Sequence, residues 1–463
     1  MALASPAYGD WLGTGTVEAL GSALGDPPDI ERLRSAAFAS FLELPLEPNP
    51  LYRKYGYFAG VDLTGIDPVA PGAAVEPPPT ALSAVRIVHD AAGTRAAIPP
   101  ELTSAGVRFE PLADIWAGDE ADRRAFLRGI DAPPDRLSAL AVALLNRGYH
   151  LEVPEGVPGP VRVQDLTVLS RPADALSIRR TIRIGRGVRA IVSEEVYSTG
   201  RPDRQRLVGS STALDAGPAS QLAYLTVHAP DLAAIGLFDR AATLGDSSRL
   251  GWVWAGFGGF RTKMRNGSVL AGTGCDLEDL QGTFGRDRQA FDSSVLVTHR
   301  GTQTHGSSIS RGVFQDEARG LNRGLVRIEK DARKTVSYLA EHAMLLSKGA
   351  RSDSMPDLEI LCRDVKATHS TSSAPVDTEK VFYLESRGVP RERAVRMISE
   401  GFLSHVFDRA PIARLSELLY PLLAARWAGE ELPWRPDAPW NLPALEFAAD
   451  VPSTDWRFDA KLR

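Results

Sequence analysis

Residues 182–193, IRIGRGVRAIVS, and residues 326–337, VRIEKDARKTVS, share one frame. Arg183, Ile184, Arg189, Val192 and Ser193 line up with Arg327, Ile328, Arg333, Val336 and Ser337. Residues 243–252, TLGDSSRLGW, fit it too, with Leu244 at the isoleucine position and Arg249 at the second arginine. Residues 213–218, ALDAGP, fit it loosely, and Ile184, Leu214 and Leu244 stand 30 residues apart. A β-rich unit recurring at that spacing around a tight polar turn predicts stacked coils, each a strand, a turn, then a strand on the next face. One coil cannot bury its apolar side alone, so neighbours must stack. The competing reading is a chance match among hairpins of a β-sandwich.

The surrounding texture favours coils. From about Tyr149, short β-rich runs recur at 161–169, 178–184, 188–196, 222–227, 250–254, 294–299, 325–328, 335–339 and 358–365. No long helical pattern separates most of them, whereas a doubly wound α/β fold needs a helix after nearly every strand. Before this region, residues 30–44 have helical spacing and run into a proline block, LPLEPNP at 44–50, that forbids continuation. Residues 84–90 and 107–112 read as strands, and 119–129 and 135–146 as helices. After the β region, 377–386 and 391–407 read as helices around Gly388, which sits where a helix end needs positive φ, and Pro390, which opens the next. Residues 410–427 form a third predicted helix, with Ile412, Leu415, Leu418, Leu419 and Leu422 on one face. The expected organisation is a helical or mixed α/β region over 1–148, a coil core over 149–374, a helical domain over 375–427 and a tail over 428–463. The tail's Trp434, Trp440 and Trp456 predict packing onto the body without regular structure.

Composition narrows the function classes. The chain has 463 residues and a formal net charge of −5, with both signs scattered, which gives no electrostatic case for nucleic acid or an anionic membrane. No apolar run approaches the roughly 18 residues of a membrane span. Residues 1–15, MALASPAYGDWLGTG, lack the basic and apolar regions of a signal peptide. Two cysteines, Cys275 and Cys362, make no disulfide framework. A cytoplasmic, reduced protein is the expectation.

The C-terminal part of the β region carries the chemistry. It reads PDLEILCRDVKATHSTSSAPVDTEKVFYLESRG over 356–388. Leu358-Glu359-Ile360, Asp364-Val365-Lys366, His369 and FYLESRGV at 382–389 resemble, in order and near-identical spacing, the C-terminal block of the SufB/SufD scaffold family of iron–sulfur cluster assembly. NRGYHLEVPEG at 146–156 resembles the segment that opens that family's core, RGLVRI at 323–328 its late coil, and residues 42–50 its N-terminal proline block. The likeness spans roughly residues 140–410. Tyr55-Gly56-Tyr57 is reminiscent of the SufB branch, but the position of the family's assembly cysteine is Ala367 here.

The resemblance implies a mainly β fold: a right-handed parallel β-helix between an N-terminal helical region and a C-terminal helical domain. It implies a non-catalytic subunit, nearer to SufD, that pairs with a SufB-like chain or with a second copy of itself. It also implies a SufC-like ATPase on the C-terminal helices. Any iron–sulfur cluster is then transient in the complex, with no intrinsic cofactor, and ATP enters through the partner, since no Walker motif occurs here. The rivals are a polysaccharide-active β-helix enzyme and an interaction scaffold without cluster chemistry.

Each candidate residue has an ordinary reading beside its functional one. His369 follows the lost cysteine position by two and is the candidate for cluster assembly or for the subunit interface; imidazole titrates near neutrality and ligates iron. A lone histidine at a strand end is also an ordinary surface residue. Read as part of one strand, Cys362 faces away from 367 and 369 by alternation, and is a small buried hydrophobe. Cys275 follows a turn and is a candidate exposed thiol for sulfur relay. Arg387, Arg391, Arg393 and Arg396 form either a docking surface for the ATPase or a solvated charged face. His299 and His305 are spaced as a possible metal pair, but read better as solvated or core-satisfied rings. Adjacent Glu194 and Glu195 point to opposite faces of a strand, which argues against concerted acid–base work.

Overall fold

The structure, a computed structural model, describes residues 12–50, 52, 53, 58, 60–69, 72–77, 84–200 and 202–449. Tyr55-Gly56-Tyr57, Trp456 and the first eleven residues lie outside the described residues.

Two strands, β1 (Val85–Asp90) and β2 (Gly93–Ala97), form a hairpin, and β3 (Arg108–Pro111) follows. The coils then run as β4 (Leu145–Val153), β5 (Pro160–Leu169), β6 (Ala175–Ile184), β7 (Arg189–Ser198), β8 (Arg206–Ala216), β9 (Gln221–His228), β10 (Ala234–Leu244) and β11 (Arg249–Gly256). They continue as β12 (Arg261–Leu270), β13 (Asp276–Gly285), β14 (Ala290–His299), β15 (His305–Phe314), β16 (Arg319–Ile328), β17 (Thr335–Leu345), β18 (Arg351–Ile360) and β19 (Val365–Pro375). Odd strands from β5 to β19 stack in one sheet, which β1 and β2 extend; even strands from β4 to β18 stack in the other, ending on β3. All neighbours from β4 onward within each sheet are parallel. The molecule is a parallel β-solenoid.

Two stacks explain the sequence repeat. Along the inner face, Val153, Ile184, Ala216, Leu244, Leu270, His299, Ile328 and Ile360 sit one above another. At the polar turn, Gly187, Ala219, Ser247, Gly274, Gln303 and Lys334 all have positive φ. Each of these N–H groups donates to a carbonyl of the next coil's turn, on Pro218, Asp246, Thr273, Thr302, Arg333 and Asp364 in order, at 2.7–2.9 Å. The turns therefore satisfy each other's backbone, as buried or crowded backbone must.

The predicted frame needs two corrections. Leu214 pairs with Ile182, so Ala216 holds the position above Ile184. In the second strand, the position of Arg189 continues through Gln221, Arg249, Asp276 and His305 to Val336, while Arg333 lies in a longer turn. The matching letters held for Leu244 and Ile328 in the strand before the turn, slipped by two at the loosely matched Leu214, and slipped again beyond the turn, where its length varies.

Helices cover both outer faces. The N-terminal set comprises α1 (Thr14–Leu24), α2 (Pro28–Glu43), α3 (Pro100–Ser104), α4 (Leu112–Ala117), α5 (Glu120–Leu127) and α6 (Arg136–Ala143). Phe38, Phe41, Trp116 and Leu140 from this set share a core with Leu207, Ile235 and Leu237 of the even sheet. The helix expected to run to Asn146 stops at Ala143, because Leu145 already begins the first coil. At the C-terminus stand α7 (Thr378–Ser386), α8 (Arg391–Phe407) and α9 (Leu415–Trp427). Gly388 has φ +85° after α7, as expected. α9 starts later than predicted: Arg414 adopts φ +55°, and Ala413 donates to Glu446 instead of to a helix. Its apolar face and that of α8 pack on the odd sheet, and Trp434 and Trp440 of the tail join the same core.

Candidate functional site

The interior of the solenoid holds a polar seam. Asp165, Glu194, Thr226, Trp254, Gln281, Ser310, Glu341 and Thr371 stack in register on the inner face of the odd sheet. Opposite, Tyr149, Arg180, Thr212, Arg240 and Asn266 stack on the even sheet. In the first coils the seam is charged and fully enclosed. Arg180 grips Asp165 with two bonds of 2.6 and 2.9 Å and lies 3.2 Å from Glu194. Glu194 also lies 3.2 Å from Arg240 and accepts from Thr226 at 2.9 Å and Ser210 at 2.5 Å. Tyr149 donates to Asp165 at 2.7 Å. Burial alone would raise both carboxyls, but the guanidiniums outweigh it and hold Asp165 and Glu194 below the usual carboxylate range. Each charge is paired and hydrogen-bonded, the condition under which buried ions are tolerated.

Farther along, the seam loses its cations. Asp279 accepts from Asn266 and Gln281, and burial raises it to about 6. Burial raises Glu341 to about 7, and one of its oxygens has no partner. A cavity of about 10 Å³ among Trp254, Thr262, Ser293, Ser310 and Asn322 is no larger than a water. The seam is therefore a packed polar interior with no room for a substrate.

The accessible chemistry lies at the open end. No later coil covers β18 and β19, so β19 presents an unpaired edge. His369 pairs with Leu339 and Ala367 with Ser337, so both occupy inward columns of the last coil. His369 is exposed there because the stack ends, and Ile360 and Leu361, where β18 gives way to the last link, are exposed as well. Cys362 departs from expectation. β18 ends at Ile360 and β19 starts at Val365, so Cys362 lies in the link and strand alternation does not relate it to Ala367. It is buried, as expected, but in the cluster formed by Val326, Ile328, Ala332 and Leu339, against which Ala367 itself packs.

Cys275 contradicts its predicted exposure. It is fully buried, with its sulfur 3.1 and 3.2 Å from the Gly272 and Gly245 carbonyls, and burial raises the thiol. A buried, protonated thiol is a poor nucleophile. His299 and His305 do not converge. His299 is buried in an inward column, bonded to Thr304 at 2.8 Å and Ser337 at 3.2 Å, and burial lowers it to about 4; His305 faces outward, 3.2 Å from Asp276. Among the described residues, no group of three or more His, Cys, Asp or Glu side chains is arranged to hold a metal ion. Glu194 and Glu195 face opposite ways, as their adjacency predicts: Glu194 joins the interior charges, and Glu195 lies against the tail.

The C-terminal helices present a second surface. Phe382 and Tyr383 of α7 are 71% and 56% exposed. Arg387 lies 5.2 Å over the Tyr383 ring, Arg391 reaches Glu385 at 3.4 Å, and Arg393 is exposed. Arg396 is committed inside the domain, bonded to Glu400 at 2.7 Å and Tyr420 at 3.2 Å. Beside it, Phe257, Leu403, Phe407, Leu419 and Leu423 floor a groove of about 410 Å³ between α8 and α9, rimmed by Glu400 and Glu417. No described helix is long and apolar enough to cross a membrane.

The interior network was not singled out from sequence. Arg180 and Arg240 sit at apolar parity, between Ile178 and Ile182 and between Phe238 and Ala242, which is the one signal that marks them; Asp279 and Glu341 share inner faces with Gln281 and with Thr335 and Ser337, and nothing marks them.

Comparison with known proteins bears on this geometry. The family model described as "SUF system FeS cluster assembly, SufBD core domain" matches residues 168–402, from the second coil strand to α8. The chain is 28% identical over 331 residues to the iron–sulfur cluster assembly protein SufD of Bacillus subtilis, covering 70% of this chain and 74% of that protein. It is 31% identical over 186 residues to an iron–sulfur cluster assembly SufBD family protein of Mycobacterium bovis, covering 38% of this chain and 47% of the relative. A chloroplastic SufBD family protein of Arabidopsis thaliana is 22% identical over 292 residues, covering 61% and 52%. With its coils, its open end and its C-terminal helices all inside or beside the matched span, the chain belongs to the SufB/SufD family of iron–sulfur cluster assembly proteins.

Proposed function

We propose that this chain is a SufD-like, non-catalytic scaffold subunit of an iron–sulfur assembly complex. The observation that carries the reading is the open end. There the family's frame is kept, His369 is exposed, and the thiol position is Ala367. One imidazole cannot hold a nascent cluster, which needs several thiolate or equivalent ligands. Iron and sulfide are substrates of the complex, and a SufB-like partner supplies the remaining ligands across the interface. That partner adds its strands to the free edge of β19, a recognised mode of strand pairing. A second copy of this chain is the alternative occupant of the same edge.

The exposed pair Phe382 and Tyr383, the nearby Arg387 and Arg393, and the α8–α9 groove support docking of a SufC-like ATPase. ATP enters through that subunit, and the chain works in the cytoplasm or an equivalent compartment. Co-expression tests the reading. This chain and its ATPase should purify as a stable complex, and a chain with intact C-terminal helices that captures none overturns it. His369→Ala should lower cluster yield in cells without changing the melting temperature. An unchanged yield would make His369 an ordinary surface residue.

A further inference from the structure

The tail does more than cover the odd sheet. Trp434 donates its backbone N–H to Ser198 at 2.7 Å and meets the Tyr197 ring at 5.5 Å. Gln164 donates to the Leu442 carbonyl at 3.3 Å, and Arg162 to the Leu445 carbonyl at 3.0 Å. A few residues on, Ala413 donates to Glu446 at 2.8 Å and Ala448 to Pro411 at 3.2 Å. One run of chain thus ties β5 and β7, in the first coils, to the junction between α8 and α9.

Glu195 lies beneath this run. Its carboxyl is buried, accepts from Ser193 at 3.1 Å, and has the Leu442 N–H and the Tyr197 hydroxyl within interaction range. The charged groups around it are otherwise engaged. On β5, Arg162 serves Leu445 and lies 3.7 Å from Glu446, and Asp165 adds repulsion from the inner face. On β7, Arg189 lies over Phe447 at 4.5 Å; on the tail, Arg435 lies over Trp440 at 5.8 Å, and Asp437 is exposed. On α9, Arg426 donates to Pro230 at 2.6 Å. On β1, Arg86 lines the same small cavity as Glu195 and Trp434 without bonding to the carboxyl. No arginine among the described residues pairs with Glu195.

The proton inventory then decides its state. The Tyr197 oxygen lies 3.3 Å from the Trp440 carbonyl and has a single proton to give. Given to Trp440, that proton leaves Glu195 to donate its own to the tyrosine oxygen. We propose that segment 432–448 is a detachable strap that fixes the α8–α9 pair to the first coils, and that its closure requires a neutral Glu195. In the closed strap, Glu195 donates to Tyr197 and Tyr197 donates to Trp440. When Glu195 ionises, Tyr197 turns its proton to the carboxylate and the Trp440 carbonyl loses its donor. A buried charge with no cation paired to it is then left under the strap, which is disfavoured.

Burial pushes Glu195 up to about 7, against an ordinary value of about 4.3 once the strap lifts and water enters. The closed strap therefore holds a proton that the open strap releases. Opening becomes more favourable as pH rises between those values, by about tenfold per pH unit, and then levels off.

Hydrogen exchange on the full chain at pH 5.5, 6.5 and 8, corrected for intrinsic rates, tests this, with β12 as the internal reference. The opening constant of 432–448 should rise about tenfold from pH 5.5 to 6.5 and a few-fold more by pH 8. Glu195→Gln, neutral at every pH, should abolish that slope. Tyr197→Phe should leave the strap about as open at pH 5.5 as the wild type is at pH 8, with β12 unchanged. Wild-type protection that is flat across this range, a Glu195→Gln slope equal to wild type, or a Tyr197→Phe strap as closed as wild type at pH 5.5 would overturn the proposal.

Discussion

At the residue scale, the interior charges carry the greatest energetic stake. Arg180 stands between two buried carboxylates, so Arg180→Met leaves both Asp165 and Glu194 short of a cation. Breaking a buried ion pair from one side costs about 3–5 kcal/mol, and urea unfolding should show a loss of that size. Asp279 behaves in the opposite sense. Its folded form keeps a proton, up to about 6, that the unfolded chain has already released. Its contribution is therefore present at low pH and lost as pH rises from about 4 to 6. Asp279→Asn should be more stable than wild type at pH 8, by about 1–3 kcal/mol, and lose that advantage near pH 4. An equal difference at both pH values would show that Asp279 titrates in the folded protein as it does in the unfolded chain. These residues were the least legible in the sequence. The runs at 161–169, 178–184 and 188–196 pass through Asp165, Arg180 and Glu194, but only the partner strands of the next coils show these charges to be buried and compensated.

At the element scale, polar residues on the same inner faces explain which strands were missed. β12, β13 and β15 carry Asn266, Asp279, Gln281, Ser308 and Ser310 where an apolar residue would have completed the alternation. The strands that read clearly, such as β7 and β16, keep Val and Ile on the inner face at one end. The positive-φ turn was legible because Gly and Ser recur there, though its variable length hid the register beyond it. Cys362 was misplaced for the same reason, since a turn between β18 and β19 cannot be seen by counting parity. Two predictions belong to this scale. A Cβ on Gly282 would lie 2.2 Å from the Phe407 ring, so Gly282→Val should unseat α8 at a cost of about 1–3 kcal/mol, read as lost protection in α8 with β12 intact. Ser370→Pro removes a β19 backbone donor at the free edge or on the β17 side. It should abolish subunit pairing while leaving the first coils folded, as monitored by sedimentation and by exchange in β6 to β9.

At the scale of the whole molecule, a repeat read from a few dozen residues was enough to set the architecture. Coils that can bury nothing alone must stack, and a stack that ends must expose its last inner face. That exposed face carries His369, with Ala367 two positions before it. The helices at the same end of the chain, mounted on the odd sheet and tied back by the tail, give the molecule a second surface independent of the first. The proposed scaffold role, with one end for a cluster-building partner and another surface for an ATPase, rests on that separation. The most direct measurement is native mass spectrometry of this chain co-expressed with its SufB-like and SufC-like partners. The account predicts a discrete complex containing this chain, the SufB-like chain and the ATPase, with Ser370→Pro losing the SufB-like chain and retaining the ATPase. A chain that remains free of both partners, or a Ser370→Pro variant that keeps the SufB-like chain, would contradict it.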